Sequence, residues 1–502
     1  MPAEITTLDN SGGKSGPLSY GQRALWFLQK VSPDNCAYNI VLAARITGPL
    51  DTTLLRRSFQ TLIGRHSSLA AVFPEVAGRP IQRVRDDSEI CFELRDASGL
   101  EWQTLRRQLC EEGQRPFNLE TGPILRILLF SRSTVDNVLL LVVHHIAVDY
   151  ASVQQAMKEL GEIYSARLVE KEPILPRLSL TYIDYAKWQT DMLAGPQGSA
   201  LSVYWRSRLS CDLSPINLPF DRPRQQAQTF RGDTYDFAID DVSAAQVSKL
   251  VQELDGSLFT VLLSVFYCLL HFWTGQRDIL VGSPPIGKRR PEFNGVVGFF
   301  HNPVVLRGEL TPSESFDTLH RRTQAVVEGA LNHQDYPFSY LVEQISPVRD
   351  PSYSPIFQVM FVLYDRAVSE GKLGDAQQAA SLELAGLDVE FLEIEEPVSM
   401  LDLTMTLVEE VETLTGSIQF NSDLFDRSTI ESFANEFTNI LRGAGTDPSR
   451  MIEELRTLQS GSNESASHLN RAAEDDATER ANLRREMIRR GRRQPVRLEL
   501  GD

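Results

Sequence analysis

Cysteine is scarce in this chain: there are five among 502 residues, at positions 36, 91, 110, 211 and 268. The number is odd and no pair has C-x-x-C spacing, which argues against a disulfide framework or a thiolate zinc site. A reducing compartment, the cytoplasm, fits better. Positive charge is also short. Fifty Lys and Arg stand against 67 Asp and Glu, for a net charge of −17. Phosphate binding needs a dominant cationic surface to release counterions, so a general nucleic-acid binder is not expected. No apolar run reaches the ~20 residues of a membrane span. The longest, from Phe259 to Trp273, contains His271 and reads as a buried helix; no membrane association is expected. The N-terminal residues lack the apolar h-region of a secretory signal. Neither a G-x-S-x-G elbow nor a P-loop occurs, which removes the commonest covalent-hydrolase and nucleotide-dependent readings.

What is present is an ordinary globular composition, 42% hydrophobic and 23% charged, over a length too great for one core. Single cores stop growing near ~250–300 residues, so two lobes are expected. The pattern gives a disordered leader over 1–16, an N-terminal lobe over 17–180, a C-terminal lobe over 181–456 and a linker or docking tail over 457–502. That tail is Ser/Asn/Glu/Asp-rich, then Arg-rich, with little to bury. Asp51 reads as the N-cap of a helix through Leu54, Leu55, Phe59 and Leu62. Ile124 to Phe130 and Asn137 to Val143 read as strands, the second an unbroken Val/Leu run of the kind buried on both faces. A helix through Val153, Met157, Leu160 and Tyr164 follows. Residues 166–230, rich in Pro and aromatics, read as a segment crossing between lobes. Both halves have a mixed α/β pattern, with no repeat visible at the level of residues.

The most specific constellation is His144-His145-Ile146-Ala147-Val148-Asp149, at the point where a buried strand opens into a loop. An imidazole titrates near neutral pH and can take a proton from an amine or hydroxyl, or hold that nucleophile by a hydrogen bond. The carboxylate downstream can orient the loop or pair with a cation. Two histidines merely satisfied at a strand end would look the same. Adjacent histidines with no third ligand nearby are a poor metal site, and no metal is expected.

The order of further motifs resembles the condensation domain family of nonribosomal peptide synthetases, from Leu18 to about Leu441. Ser19-Tyr20-Gly21-Gln22 with Leu25-Trp26 is similar to the family's opening motif, and Arg65-His66 through Phe73 to its second. His144-His145 with Asp149 is similar to its His-His-x-x-x-Asp signature. Tyr182 to Gln189, Leu218 to Pro223, Gly298-Phe299-Phe300 with Asn302, His333-Gln334-Asp335 with Pro337-Phe338, and Phe357 to Phe361 follow in order. The resemblance implies an α/β (α+β) fold of two chloramphenicol-acetyltransferase-like lobes, each a mixed sheet covered by helices, forming a V-shaped pseudo-dimer. It implies an acyltransferase that forms an amide or ester between a carrier-bound acyl thioester and an amine or alcohol. Acyl or peptidyl carrier proteins are then the partners, through their phosphopantetheine arm. No permanently bound cofactor is implied, and the chain is expected to act as a monomer.

By that resemblance His145 positions or deprotonates the nucleophile. His144 and Asp149 support it, with Asp149 salt-bridged to Lys288 or Arg290. Tyr150, Ser152, His301 and Asn302 line a substrate tunnel. Tyr150 stands where the family commonly has Gly, Lys288 where it has Arg, and His301 where an apolar residue is commoner. An ammonium lacks the bidentate fork of a guanidinium, which leaves the partner of Asp149 open between Lys288 and Arg290. Two other readings remain: a catalytically silent module that recruits carrier proteins, and a free-standing acyltransferase using a CoA thioester.

Overall fold

The computed structural model describes residues 14–85, 90–210, 213–284, 290–345, 350–364, 382–392, 394, 398–409 and 414–457. They form a mixed α/β structure with two separate hydrophobic cores, one under each of two large sheets. Trp188 packs against both cores.

The two sheets share one plan. In the first, Asn39–Thr47 pairs antiparallel with Asp136–His144, which pairs antiparallel with Leu125–Ser133, which pairs parallel with Phe92–Asp96. In the second, Gly232–Ile239 pairs antiparallel with Leu414–Asn421, which pairs antiparallel with Leu403–Glu409, which pairs parallel with Val359–Tyr364. The same order and the same senses thus recur. The connections recur too: the first strand of each set runs into a helix capped by aspartate. The Asp51 carboxylate accepts from Leu54 N at 2.9 Å to open Thr52–Arg65, and Asp240 accepts from Ser243 N at 3.0 Å to open Asp241–Glu253. A side-chain oxygen that takes an orphan N–H stabilises a helix start by about 1 kcal/mol. The hairpin of each set then runs into a long helix, Tyr150–Leu168 or Arg427–Thr446, that packs on the aspartate-capped one. The internal repeat is one of backbone topology, which residue comparison does not reveal.

Two further strands, Asp278–Ser283 and Val304–Glu309, extend the second sheet, and Asp388–Leu392 adds to the first. That last strand corrects the expected boundaries, because a stretch placed in the C-terminal lobe completes the N-terminal sheet by pairing with Asn39–Thr47. Leu382, Leu384 and Ile394 around it lie in the N-terminal core. Other expectations need correction. Ser15 and Gly16, read as leader, belong with Pro17 to a strand that pairs with Arg79–Val84. The segment read as a crossing contains the helices Tyr182–Ala194 and Pro196–Leu209, with Tyr182 in the first core and Trp205 in the second. The tail from 458 lies outside the described residues.

The apolar run read as a buried helix is one, Leu258–Thr274, with Leu262, Leu263, Val265, Phe266, Leu269 and Leu270 sealed in the second core. Each such side chain contributes roughly 1.5–3 kcal/mol of burial. Ser257 caps its start, and Gly275, at φ 69°, ends it in the left-handed conformation that a Cβ disfavours. Among the described residues no single helix is long and apolar enough to cross a membrane.

Candidate active site

Strand Asp136–His144 is buried along almost its whole length, so His144 and His145 enter the protein interior with it. The main chain then turns tightly. His145 N donates to Tyr38 O at 2.8 Å, Ala147 N to His144 O at 3.0 Å and Val148 N to His145 O at 3.2 Å. Asp149 ends the turn as N-cap of Tyr150–Leu168, accepting from Ser152 N at 2.8 Å.

The hydrogen bonds fix opposite tautomers on the two histidines. A carbonyl can only accept, so the 2.7 Å contact of His145 Nδ1 with Val148 O places a proton on Nδ1. Burial lowers the His145 pKa, the ring is neutral at pH 7, and Nε2 carries the lone pair. Nε2 has no hydrogen-bond partner among the described residues. His144 does the reverse: Nδ1 accepts from Ile146 N at 3.1 Å, so its proton lies on Nε2, sealed from solvent and unpartnered. Burial, with His145 beside it, pushes the His144 pKa down to about 3. One imidazole therefore presents a base, and the other holds the turn.

The loop is clamped by a segment distant in sequence. Phe300 N donates to the second carboxylate oxygen of Asp149 at 3.0 Å, and Asp149 N donates to Gly298 O at 3.0 Å. Ser152 Oγ bonds both ends of Gly298, donating to its O at 2.8 Å and accepting from its N at 3.0 Å. Ser68 Oγ donates to Val297 O at 2.8 Å, Tyr182 OH donates to Phe299 O, and Gln22 Nε2 donates to Ile146 O at 3.0 Å. Gly298 has no room for a side chain, since a Cβ there would lie 1.9 Å from Tyr182 Cδ2.

Rings surround His145: Phe299 at 5.1 Å and Tyr150 at 5.5 Å between centroids, both edge-on, and His301 at 6.1 Å. Tyr150, at the start of the helix, is 37% exposed and stands beside the base as part of its outer wall. Burial and the neighbouring His145 bring the His301 pKa down to about 4, so this ring is neutral as well.

Other residues expected in the site have different work. Ser152 is fully buried and engaged with Gly298, so it is part of the clamp and not of a tunnel wall. Asn302 donates to Gln334 O at 2.8 Å and Tyr336 O at 3.0 Å and accepts from Phe338 N at 2.7 Å. Its amide thus ties the 334–338 loop in place and does not face substrate. Arg290 pairs with Glu292 and Asp335 and lies 4.6 Å over the Trp188 ring, so it is not the cation on Asp149. Lys288 lies outside the described residues. Sequence reasoning missed the roles of Ser68, Gln22 and Tyr182, although all three stood inside quoted motifs.

With this geometry in place, the comparisons with known proteins decide the family. The model of the condensation domain matches residues 14–466. The chain belongs to the condensation domain family. Malpinin synthetase of Mortierella alpina is 33% identical over 445 residues, which is 88% of this chain and 6% of that protein. Phosphinothricin tripeptide synthetase PhsC of Streptomyces viridochromogenes is 33% identical over 449 residues, 88% of this chain and 40% of that protein. The chain therefore spans a minor part of these curated relatives. Among solved structures, the X-domain from teicoplanin biosynthesis superposes with a TM-score of 0.79 at 25% identity, covering 90% of this chain and 99% of that one. The first condensation domain of the CDA synthetase superposes with a TM-score of 0.70 at 17% identity, covering 88% and 98%. The relatives are nonribosomal peptide synthetases and the fold is the two-lobed, chloramphenicol-acetyltransferase-like one of condensation domains.

Proposed function

We propose that this condensation domain transfers an acyl group from a thioester to an amine or alcohol, with His145 as the base. One observation carries the reading: Nδ1 of His145 is committed to Val148 O, which leaves Nε2 as an unprotonated nitrogen, without a partner among the described residues, beside Tyr150, Phe299 and His301. A base held neutral by burial keeps its lone pair at the pH where it works. The nucleophile's nitrogen or oxygen bonds to the thioester carbonyl carbon, its proton passes to Nε2, the carbon–sulfur bond breaks, and the proton leaves with the thiolate. No covalent enzyme intermediate is needed. His144 and Asp149 hold the turn. The names of the relatives as peptide synthetases favour a carrier protein's phosphopantetheine thioester as donor and the cytoplasm as the site of action.

The test is intact-mass analysis of the chain incubated with an acyl-loaded carrier protein and a panel of amines and alcohols. Product should form with one class of nucleophile. His145→Ala should lower it at least a hundredfold, the range of positioned general-base catalysis, with folding and carrier binding retained. Carrier binding without product in the unmodified chain would replace this reading with recruitment.

A further inference from the structure

We infer that His301 is a second catalytic residue of this reaction, donating a hydrogen bond to the thioester carbonyl oxygen as that oxygen gains negative charge. The inference rests on the acyl-transfer reading above and adds to it the group that receives the developing charge.

Partnership sets His301 apart. Every other histidine among the described residues engages a ring nitrogen: His66 with Glu159, His144 with Ile146 N, His145 with Val148 O, His271 with Gln276 O, His320 with Thr260 and His333 with Gly329 O. Neither ring nitrogen of His301 bonds to a described residue. A polar group taken out of water usually finds a hydrogen-bond partner. This one has none among the described residues and stands beside His145, 6.1 Å away between centroids, with Phe299 as the third corner at 6.2 Å.

Position adds to this. The residues on either side of His301 are both tied down, Phe300 N to Asp149 and the Asn302 amide to three main-chain groups of the 334–338 loop. A donor whose backbone is fixed beforehand does not reorganise as charge develops, and in an apolar, water-poor site it acts more strongly than in water. Phe299, whose ring lies against both His145 and His301, supplies apolar surface there. A neutral imidazole keeps one N–H, and burial keeps His301 neutral. The division of labour is complete in atoms. The nucleophile's proton goes to His145 Nε2 and on to the leaving sulfur, while His301 lends a hydrogen bond to oxygen and gives no proton away.

The test compares His301→Leu, His301→Ala and His301→Gln in kcat and KM with a fixed thioester donor and nucleophile, beside the unmodified chain and His145→Ala. Removing one such donor costs about 10²–10³ in rate. The Leu and Ala variants should lose about a hundredfold in kcat with KM changed less than about threefold, and Gln, which keeps an N–H, should retain within about tenfold of wild-type kcat. Ala adds no bulk, and melting curves show that each variant is folded. Full kcat in Leu and Ala overturns the inference, as does an equal loss in all three or a change confined to KM. Inactivity of the unmodified chain sinks the acyl-transfer reading itself. A chain that needs His145 but not His301 sinks this inference alone.

Discussion

The turns at 144–149 and 421–426 are one turn built twice. Each follows the inner strand of a hairpin, has the same number of residues between strand end and helix cap, and leads into the long helix of its half. They differ in what holds them. The second turn is clamped from within its own half. Leu424 O accepts from Asp221 N at 2.9 Å and Arg222 N at 3.2 Å, the Arg222 guanidinium donates to Ser422 O and Phe425 O at 3.1 Å each, and Thr229 Oγ1 donates to Asp423 at 2.7 Å. Its polar groups are spent on structure, and it carries no histidine. The first turn is clamped by Gly298 to Phe300, which come from the other half of the sequence. Their arrival places Phe299 and His301 against His145. A repeated element becomes a chemical site where the other half reaches into it.

The sharpest test of this contrast is the pair of aspartates at the two N-cap positions, of which only Asp149 makes a side-chain cap bond. Asp149 is buried and serves Ser152 N and Phe300 N, whereas Asp426 is half-exposed and paired with Arg222. Losing a cap costs ~1 kcal/mol, and a buried N–H left unsatisfied ~1–3 more. Asp149→Ala should therefore lose about 3 kcal/mol in denaturant unfolding and most of the activity, and Asp426→Ala no more than about 1 kcal/mol, as for an exposed pair. Equal losses would break the comparison.

A smaller effect is expected at the clamp. Gly298→Ala drives a methyl into Tyr182, an overpacking that costs about 1–3 kcal/mol. It should lower kcat more than stability alone explains, because Phe299 and His301 move with the segment. Unchanged kcat would mean that the clamp does not align the site.

A further test lies in pH. His144 has a folded pKa of about 3 against an ordinary 6.5, so the unfolded chain binds the proton first. Its contribution is whole above about pH 6.5 and is lost as pH falls toward 3. His144→Asn, which copies the residue at 421, should flatten the fall in Tm over that window. The slope that remains comes from the other histidines with lowered pKa values, His145, His271, His301 and His320, and from carboxylates held low by their partners, among them Glu159 and Asp240. A slope unchanged by the substitution would show that His144 is no harder to protonate than an exposed imidazole.

Much of the molecule was legible in the chain. Asp51 as a cap, the Val/Leu strand and the apolar helix Leu258–Thr274 are local or periodic signals, and they formed as read. Gly232–Ile239 was missed, because an edge strand with one wet face has little apolar signal of its own. Leu403–Glu409 does alternate buried and half-buried positions, but over a run too short to stand out. Asp388–Leu392 was unreadable as a piece of the first sheet, since strand pairing is decided by partners hundreds of residues away. Ser152 and Asn302 sat beside the right motifs, and their neighbours in the sequence could not tell whether substrate or main chain would take their hydrogen bonds.

By itself the sequence determined the two-lobed α/β character, the ends of many helices and strands, and the histidine pair at a strand end, because capping, periodicity and motif order are properties of short stretches. Only the tertiary structure decided which imidazole nitrogen holds the proton, which turn of the repeated pair became the site, and that Arg290 turns away from Asp149. Those outcomes depend on donors and acceptors that the chain brings together across long separations, and nothing local to a motif encodes them.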